Sequence, residues 1–423
     1  MIRADFRVFM DMKELVVDNA NLFRTLVASY GSPLYVYNLD TVQLRLSELR
    51  RTVTTKAKLF YSAKANPLLA KELSAEGVGV EVTSTAELNA VSPDARGHVL
   101  YGGPAQTPQE MRYALEHGVR QFSVESVSQL VLLDQQAEQS GLKPNVIIRV
   151  NPNIRASARL SMTGVASQFG MDIEHIQSNK TTIKGLVHLC LMGVHTYLGT
   201  QIEPLQNIVD ACETSLAVLD EVAQVLGCPL SVINFGGGFP WPYAQKGEVC
   251  LGSIEQRINE LVLRASDRGI ECWFESGRFL AASSGTLIFR VLENKSSKGR
   301  DFILTDAGVH CLGGMSGLSR TLRQKVDIVP LQCTHVQHQA VNLATVVGPL
   351  CTPLDIVARD ISLRPVQEGE LLTIENVGAY GLTASLVAFL GKPIPVEVLI
   401  VKGKVKRALA LKLVWEQCAD ARA

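Results

Sequence analysis

An excess of charge of either sign is missing from this chain. Its 423 residues carry 41 Lys and Arg against 41 Asp and Glu, so no basic surface points to nucleic acid or to an anionic membrane. No apolar run approaches the roughly 20 residues that span a bilayer. The opening stretch, MIRADFRVFMDMKELVVDNANL, is broken by Arg3, Asp5 and Arg7 and lacks the continuous apolar core of a signal peptide. The nine cysteines are odd in number, scattered and free of CxxC pairs, which argues against a disulfide framework. Cys333-Thr-His335-Val-Gln-His338 comes nearest to metal spacing, but a triplet without a fourth ligand reads as a polar strand or loop, and no metal is expected. Internal repeats and low-complexity segments are absent too. These absences leave a cytoplasmic globular protein as the expectation. With 47% hydrophobic residues, it can bury a core large enough for two domains.

What is present is a rhythm of β-branched runs followed by turn chemistry and helical periodicity. The runs are KLFYSAKA (58–65), GVEVTS (79–84), HVLYGG (98–103), QFSVES (121–126), NVIIRVNP (145–152), MGVHTYLG (192–199), VINFGGG (232–238) and CWFESGR (272–278). After the first, Asn66 can cap, Pro67 suits the first helical position and Gly77 ends the segment. Ser84-Thr-Ala-Glu87, Thr107-Pro-Gln-Glu110 and Ser126-Val-Ser-Gln129 are capping-box spellings directly behind three of the strands. Strand and capped helix, eight times over, predict a parallel (β/α)₈ barrel over residues 37–284. The stretch 153–172 reads as one long loop, and loops of that length in a compact domain usually serve function. From 285 to 423 the strand-like runs are joined by glycine, proline and charged turns, predicting a mostly antiparallel β domain. Residues 1–36 are expected to join that second domain.

In such a barrel, active sites sit at the C-terminal ends of the strands. Lys64 ends the first strand, Tyr197 and Thr200 follow the sixth, Gly236-Gly237-Gly238 the seventh and Glu275-Ser-Gly-Arg278 the eighth. A triple glycine lets backbone N–H groups approach an anion closely, Arg278 adds a planar cationic fork and Thr200 a hydroxyl. This is not a dinucleotide fingerprint, because the GxGxxG spacing is absent and Pro240 and Pro242 intervene. A phosphate site beside a lysine and a carboxylate suggests pyridoxal phosphate, with Lys64 as the Schiff-base lysine and Glu275 at the pyridine nitrogen. Two plainer alternatives stay open at this point. Lys64 could be a solvated lysine at a strand exit, and Glu275 a structural partner of Arg278.

Taken in chain order, YSAKANP (61–67), HTYLGTQ (195–201), NFGGGF (234–239), ESGR (275–278), GPLCTPLD (348–355), GAYG (378–381) and PIPVEVL (393–399) resemble the fold type III, alanine-racemase-like pyridoxal-phosphate decarboxylases. That group includes diaminopimelate, ornithine and arginine decarboxylases, and the likeness covers nearly the whole chain. It implies Lys64 as the cofactor lysine and Glu275 at the ring nitrogen. It places Gly236, Gly237, Gly238, Gly277, Arg278 and Tyr380 around the phosphate. Cys351 is implied as a proton donor supplied to the neighbouring subunit's site, hence a homodimer with shared active sites. Substrate contacts are expected from Arg278, Thr352 and Tyr380.

The departures from the pattern are informative. Where the diaminopimelate and ornithine enzymes place a histidine over the cofactor face, this chain has Tyr197, which can stack but cannot become an imidazolium. The residue after the cysteine, often acidic where it meets a distal ammonium, is Thr352. The Arg-Pro-x-x-Tyr substrate segment of diaminopimelate decarboxylases is replaced by HCLGGMSGLSRTLRQ (310–324). The resemblance therefore implies α-decarboxylation with a rewritten substrate side, most like decarboxylases of secondary metabolism that act on carrier-bound glutamyl groups or citryl-type siderophore intermediates. Diaminopimelate decarboxylation for lysine synthesis is the alternative within the family. A non-catalytic or regulatory cofactor-binding homologue is the alternative from another class.

Overall fold

Eight parallel strands close into a barrel: Lys58–Ser62, Gly79–Val82, Val99–Tyr101, Gln121–Val124, Asn145–Val150, Cys190–Thr196, Val232–Asn234 and Glu271–Ser276. The computed structural model describes residues 19–152, 158–160, 166–197, 199–313, 325–331 and 342–416. The chain divides into two units. One comprises Gln43–Trp241 and Glu248–Ala281; the other comprises the residues up to Val42, Pro242–Gly247 and those from Ala282 onward. The barrel belongs to the first, and each run expected to form a barrel strand does so. The eighth strand pairs with the first, Glu275 opposite Phe60, and closes the ring.

Local chemistry sets the junctions. Asn66 accepts from the Leu68 amide and caps the 3-10 turn Pro67–Leu69. Thr107 and Glu110 make the full reciprocal capping box. At Ser84 and Ser126 the cap oxygen takes the expected amide, of Glu87 and Gln129 respectively. The return bond lands one residue earlier, on the amides of Thr83 and Glu125, and ties the strand end to the helix as well as capping it. In the 153–172 stretch the described part includes a short strand, Ala158–Leu160, antiparallel to Thr200–Ile202.

Side chains alternate along each strand, and the inward positions change character along the barrel axis. At the N-terminal mouth Lys58 lies over the rings of Phe60 and Trp273, at 5.1 and 4.7 Å, and donates to Gln121 Oε1 at 2.8 Å. Above it Phe60, Leu100, Ile147, Val232 and Trp273 form a dry cluster with Met192 packed against it. Burying side chains of this size contributes about 1.5–3 kcal/mol each. Two residues further along the strands the inward groups are polar, and there the candidate site begins.

The second unit is built on a nine-stranded mixed sheet. Leu34–Asn38 lies between Gly285–Ser297, antiparallel, and Val396–Val401, parallel. Arg300–Thr305 pairs in parallel with Asn342–Val347, and the remaining pairings are antiparallel. Leu26, Val27, Leu34, Val36, Ile288, Val398 and Ile400 make a core of this unit. Among the described residues no helix is long and apolar enough to cross a membrane, and no group of three or more His, Cys, Asp or Glu could hold a metal ion. Cys333, His335 and His338 lie outside the described residues, as does 314–324 of the segment HCLGGMSGLSRTLRQ.

Candidate active site

Lys64 sits in the 3-10 turn Ala63–Ala65 at the C-terminal end of the first barrel strand. The alanines that flank it are fully buried, and the reason for the size of Ala65 is visible. A Cβ on Gly277 would come within 2.8 Å of the Ala65 Cβ and 3.1 Å of the Ser62 Cβ, so small residues on both sides let the eighth strand's exit pass the first's. Tyr61 Oη donates to the Asn66 carbonyl at 2.8 Å and pins the turn from the other side. The Lys64 side chain keeps 39% exposure, and its ammonium binds both oxygens of Glu81 at 2.7 and 2.9 Å. Burial alone would raise the Glu81 carboxyl. Lys64 outweighs it, with Ser62 and Arg149 adding to the effect, and holds the carboxyl below its ordinary value.

A connected polar layer crosses the barrel beside this pair. Glu275, on the eighth strand and 2% exposed, accepts from Asn234 Nδ2 at 2.7 Å. Asn234 Oδ1 in turn accepts from the Gly236 amide at 2.9 Å. His195 Nε2 stands 3.5 Å from Glu275 Oε1, while its Nδ1 is 2.8 Å from Ser123 Oγ. Arg149 pairs with Glu125 at 2.8 Å and lies over the rings of Phe169 and Tyr197, at 5.0 and 5.6 Å. Burial, reinforced by Glu81, pushes the Glu275 carboxyl up to about 7, against the opposing pull of Lys64, Asn234 and Arg149. Burial, then the charges of Arg149 and Lys64, pushes His195 well below its ordinary value, so its imidazole is neutral.

The glycines after the seventh strand form a close-fitting cradle. Gly236 has φ +66, and a Cβ there would meet Tyr197 Cδ2 at 2.7 Å and the Thr196 carbonyl at 2.9 Å. Gly237 backs onto the Glu275 carbonyl. Among the described residues no group accepts from the amides of Gly237 or Gly238, which is the condition of a nest ready for an anion. Arg278 opens the short helix Arg278–Ala281 directly behind Gly277. Tyr197 stands against the cradle, and Thr200 lies in the strand Thr200–Ile202. Gln201 holds that segment by a double clamp on Trp241, its Nε2 donating to the carbonyl at 2.8 Å and its Oε1 accepting from the amide at 2.7 Å.

Cys351, Thr352 and Tyr380 belong to the second unit. Cys351 is exposed, in a loop organised by Asp355, whose carboxylate is 2% exposed and accepts from the amides of Val309 and Leu350, each at 2.7 Å. Thr352 Oγ1 accepts from the Leu354 amide. Tyr380 has φ +54, a region that costs a bulky residue of order 1–3 kcal/mol. Its carbonyl accepts from Tyr243 Oη at 3.1 Å.

Of the residues singled out from sequence, Lys64, Tyr197, Gly236–Gly238, Glu275, Gly277 and Arg278 are at the C-terminal ends of barrel strands. Glu81, Ser123, Arg149, His195 and Asn234 were not singled out, although they complete the polar layer. The chemistry present fits pyridoxal phosphate: an accessible amine, a buried carboxylate, unaccepted glycine amides and a guanidinium. The buried His195 Nε2, which has no hydrogen-bond partner among the described residues, marks the one incomplete point of the layer.

Comparison with known proteins agrees. The family model described as pyridoxal-dependent decarboxylase, pyridoxal binding domain, matches residues 39–282. The L-glutamyl-[BtrI acyl-carrier protein] decarboxylase of Niallia circulans is 31% identical over 386 residues, covering 88% of this chain and 90% of that one. The diaminopimelate decarboxylase of Deinococcus radiodurans is 31% identical over 384 residues, with the same shares covered. Among solved structures, AQ1208 from Aquifex aeolicus matches with a TM-score of 0.77 at 27% identity, over 90% of each chain. The fold is shared as well with diaminopimelate decarboxylase from M. jannaschii in co-complex with L-lysine, TM-score 0.80 at 23% identity over 90% of each chain. The chain belongs to the pyridoxal-dependent decarboxylases and is a pyridoxal-phosphate-dependent carboxy-lyase.

Proposed function

We propose that this decarboxylase acts on an amino acid joined to a larger acid or carrier, either a carrier-protein-bound aminoacyl group or a citryl-type siderophore intermediate, in cytoplasmic secondary metabolism. One observation carries the reading. The loop GPLCTPLD contains a single carboxylate, Asp355, and it is buried and occupied by two backbone amides. Thr352, beside Cys351, is neutral. This loop therefore offers no acid to a substrate's distal ammonium, and leaving such a charge unpaired in a desolvated site costs several kcal/mol. The Niallia circulans relative, by its name a decarboxylase of a carrier-bound glutamyl group, supports the same class of substrate. Identity does not separate it from the diaminopimelate enzymes, since both reach 31%. Lysine-pathway decarboxylation therefore stands as the second reading.

Within this reading the residues divide the work. Lys64 would hold the cofactor covalently, and Glu81, paired with its ammonium, positions it. Gly236–Gly238, Gly277, Arg278, Thr200 and Tyr380 would hold the phosphate, and Tyr197 would cover the ring where the resembled enzymes place a histidine. Glu275 would pair with the ring nitrogen. Pyridoxal phosphate, when bound, supplies the electron sink that accepts the bonding pair released with carbon dioxide. Arg278, Thr352 and Tyr380 orient the substrate so that the scissile bond is aligned, and orientation of this kind supplies roughly 7–11 kcal/mol in favourable cases. Cys351 Sγ returns a proton to Cα of the product, from the partner subunit of a homodimer.

Parallel assays decide the substrate class: released carbon dioxide and product with free meso-diaminopimelate, against a carrier-bound or citryl-conjugated amino acid. Efficient turnover of free diaminopimelate would establish the lysine-pathway reading instead. Shared sites are tested by mixing inactive Lys64→Ala and Cys351→Ser chains. Random pairing in a C2 dimer restores about a quarter of the native sites, whereas no recovery means that each chain uses its own cysteine.

A further inference from the structure

His195 has no part in the mechanism above, yet it is buried at 4% exposure in the layer that holds Glu275. Its surroundings limit what it can be. One ring nitrogen, Nδ1, is 2.8 Å from Ser123 Oγ; the other, Nε2, is 3.5 Å from Glu275 Oε1 and has no hydrogen-bond partner among the described residues. The charged groups around the pair come from every neighbouring strand: Lys64 from the first, Glu81 from the second, and Arg149 from the fifth, with the neutral Asn234 from the seventh. Two cations push the imidazole toward neutrality in addition to burial, and a neutral histidine carries a single N–H.

Where that proton sits is decided by the neighbours. On Nδ1 it would point to Ser123 and leave the Nε2 lone pair facing a carboxylate oxygen, two acceptors together in a water-poor interior. On Nε2 it points at Glu275 Oε1, and the serine hydroxyl, which rotates freely, donates to Nδ1 instead. Asn234 cannot relieve the first arrangement by turning over, because its Oδ1 is held by the Gly236 amide and its Nδ2 is therefore fixed on Glu275.

We propose that His195 is a positioning residue for Glu275: fixed as the Nε2–H tautomer by the hydroxyl of Ser123, it aims that N–H at Glu275 Oε1 and keeps the carboxylate charged toward the cofactor. The inference rests on the reading that Glu275 faces the ring nitrogen. It assigns the Ser123–His195–Glu275 line a purpose that packing alone does not give it. Burial raises the Glu275 carboxyl even against the pull of Lys64, Asn234 and Arg149, so a further donor to Oε1 favours its anion, and His195 Nε2, 3.5 Å away, is placed to supply it.

The test uses the holoenzyme with 15N-labelled histidine. Nitrogen shifts and one-bond couplings should place the His195 proton on Nε2 near neutral pH. The pH midpoint of the cofactor's visible band, and the acidic limb of kcat/KM, should both move up in His195→Leu by about half to one pH unit. His195→Gln, which keeps an amide donor in reach, should recover at least half of that shift. Ser123→Ala, which leaves the fold of the layer intact, should show a smaller shift of the same sign. An Nδ1–H tautomer would overturn the proposal. So would variants whose midpoints match the wild type while activity falls equally at every pH, the result of a merely structural role. Glu275→Gln separates the layers of inference. If it leaves spectrum and turnover unchanged, the reading of Glu275 fails and this proposal with it. A transition that depends on Glu275 but ignores His195 overturns this proposal alone.

Discussion

Glu275 in the barrel and Glu397 in the β unit are both buried glutamates whose carboxyls are pushed up to about 7. In both, burial is the largest cause. Their neighbours differ. Glu397 accepts one hydrogen bond, from Tyr37 Oη at 2.7 Å, on a strand whose adjacent Val398 and Leu399 are fully buried. Glu275 is surrounded by an amide, an imidazole, an ammonium, a guanidinium and a second carboxylate. A raised carboxyl therefore marks a buried acid and nothing more; the convergence of several chemical types on it marks a site. Two cysteines of the β unit differ in burial too: burial pushes up the thiol of Cys311, whereas Cys351 is exposed.

The strongest test of that distinction removes the barrel's amine. Lys64→Ala should lose turnover by about 10⁴-fold or more, since without it nothing holds the cofactor covalently. In the wild type, borohydride should fix the cofactor on the peptide that contains Lys64. A label on another lysine, or near-normal turnover in the variant, would undo the assignment. Next comes the carboxylate. Glu275→Gln should retain pyridoxal phosphate, measured by its absorbance after gel filtration, but lose about 10²–10⁴-fold in kcat because a neutral ring accepts electrons poorly. Near-normal turnover would leave Glu275 no more functional than Glu397. Third, substrate preference should favour a conjugated amino acid over ornithine, lysine or meso-diaminopimelate by about 10³ in kcat/KM, the rate equivalent of one unpaired buried ammonium.

The barrel was legible because its strands are short, β-branched and bounded by caps and glycines, so that each element announces itself locally. Lys64 stood out for the same reason, as a cation at the end of an apolar run between two alanines, of which Ala65 fits against Gly277. The rest of the polar layer was harder to read. Glu81, Ser123, Arg149, His195 and Asn234 are single polar residues inside runs that otherwise look like two-sided buried strands. A signal was present: the polar residue follows an inward apolar one by two positions in Phe60/Ser62, Ile147/Arg149, Val232/Asn234 and Trp273/Glu275. Only the last of these was noticed, because it lies in ESGR. Asp355 was quoted within a motif without a role, since its work, holding the amides of Val309 and Leu350, depends on a contact 46 residues distant in sequence. Backbone conformation at Tyr380 leaves no trace in residue type, as tyrosine is not a residue that favours positive φ.

The smallest effect on activity, and the sharpest check on the comparison, comes from Glu397. Its folded value, about 7, lies above the ordinary carboxylate value of about 4.3. A raised acid stabilises the folded state fully below the unfolded value, and that contribution is lost as pH rises through the folded value, because the unfolded chain ionises where the native one does not. Over the window from about pH 4 to 7 the loss from this one group is about 3 kcal/mol. Glu397→Gln keeps an oxygen for Tyr37 to donate to and removes the titration. Denaturant unfolding at pH 5 and pH 8 should therefore differ less in the variant than in the wild type. A residual slope is expected, because Glu275, Glu87 and Asp306 are raised by burial as well. Turnover with the preferred substrate should stay within about twofold, as for a change that touches no reacting group. Parallel stability curves for the two proteins would show that Glu397 is ionised in the native state throughout. A large fall in kcat with unchanged stability would mean that the β unit's buried acid belongs to the chemistry after all, and that several chemical types around a carboxyl are not what distinguishes the two.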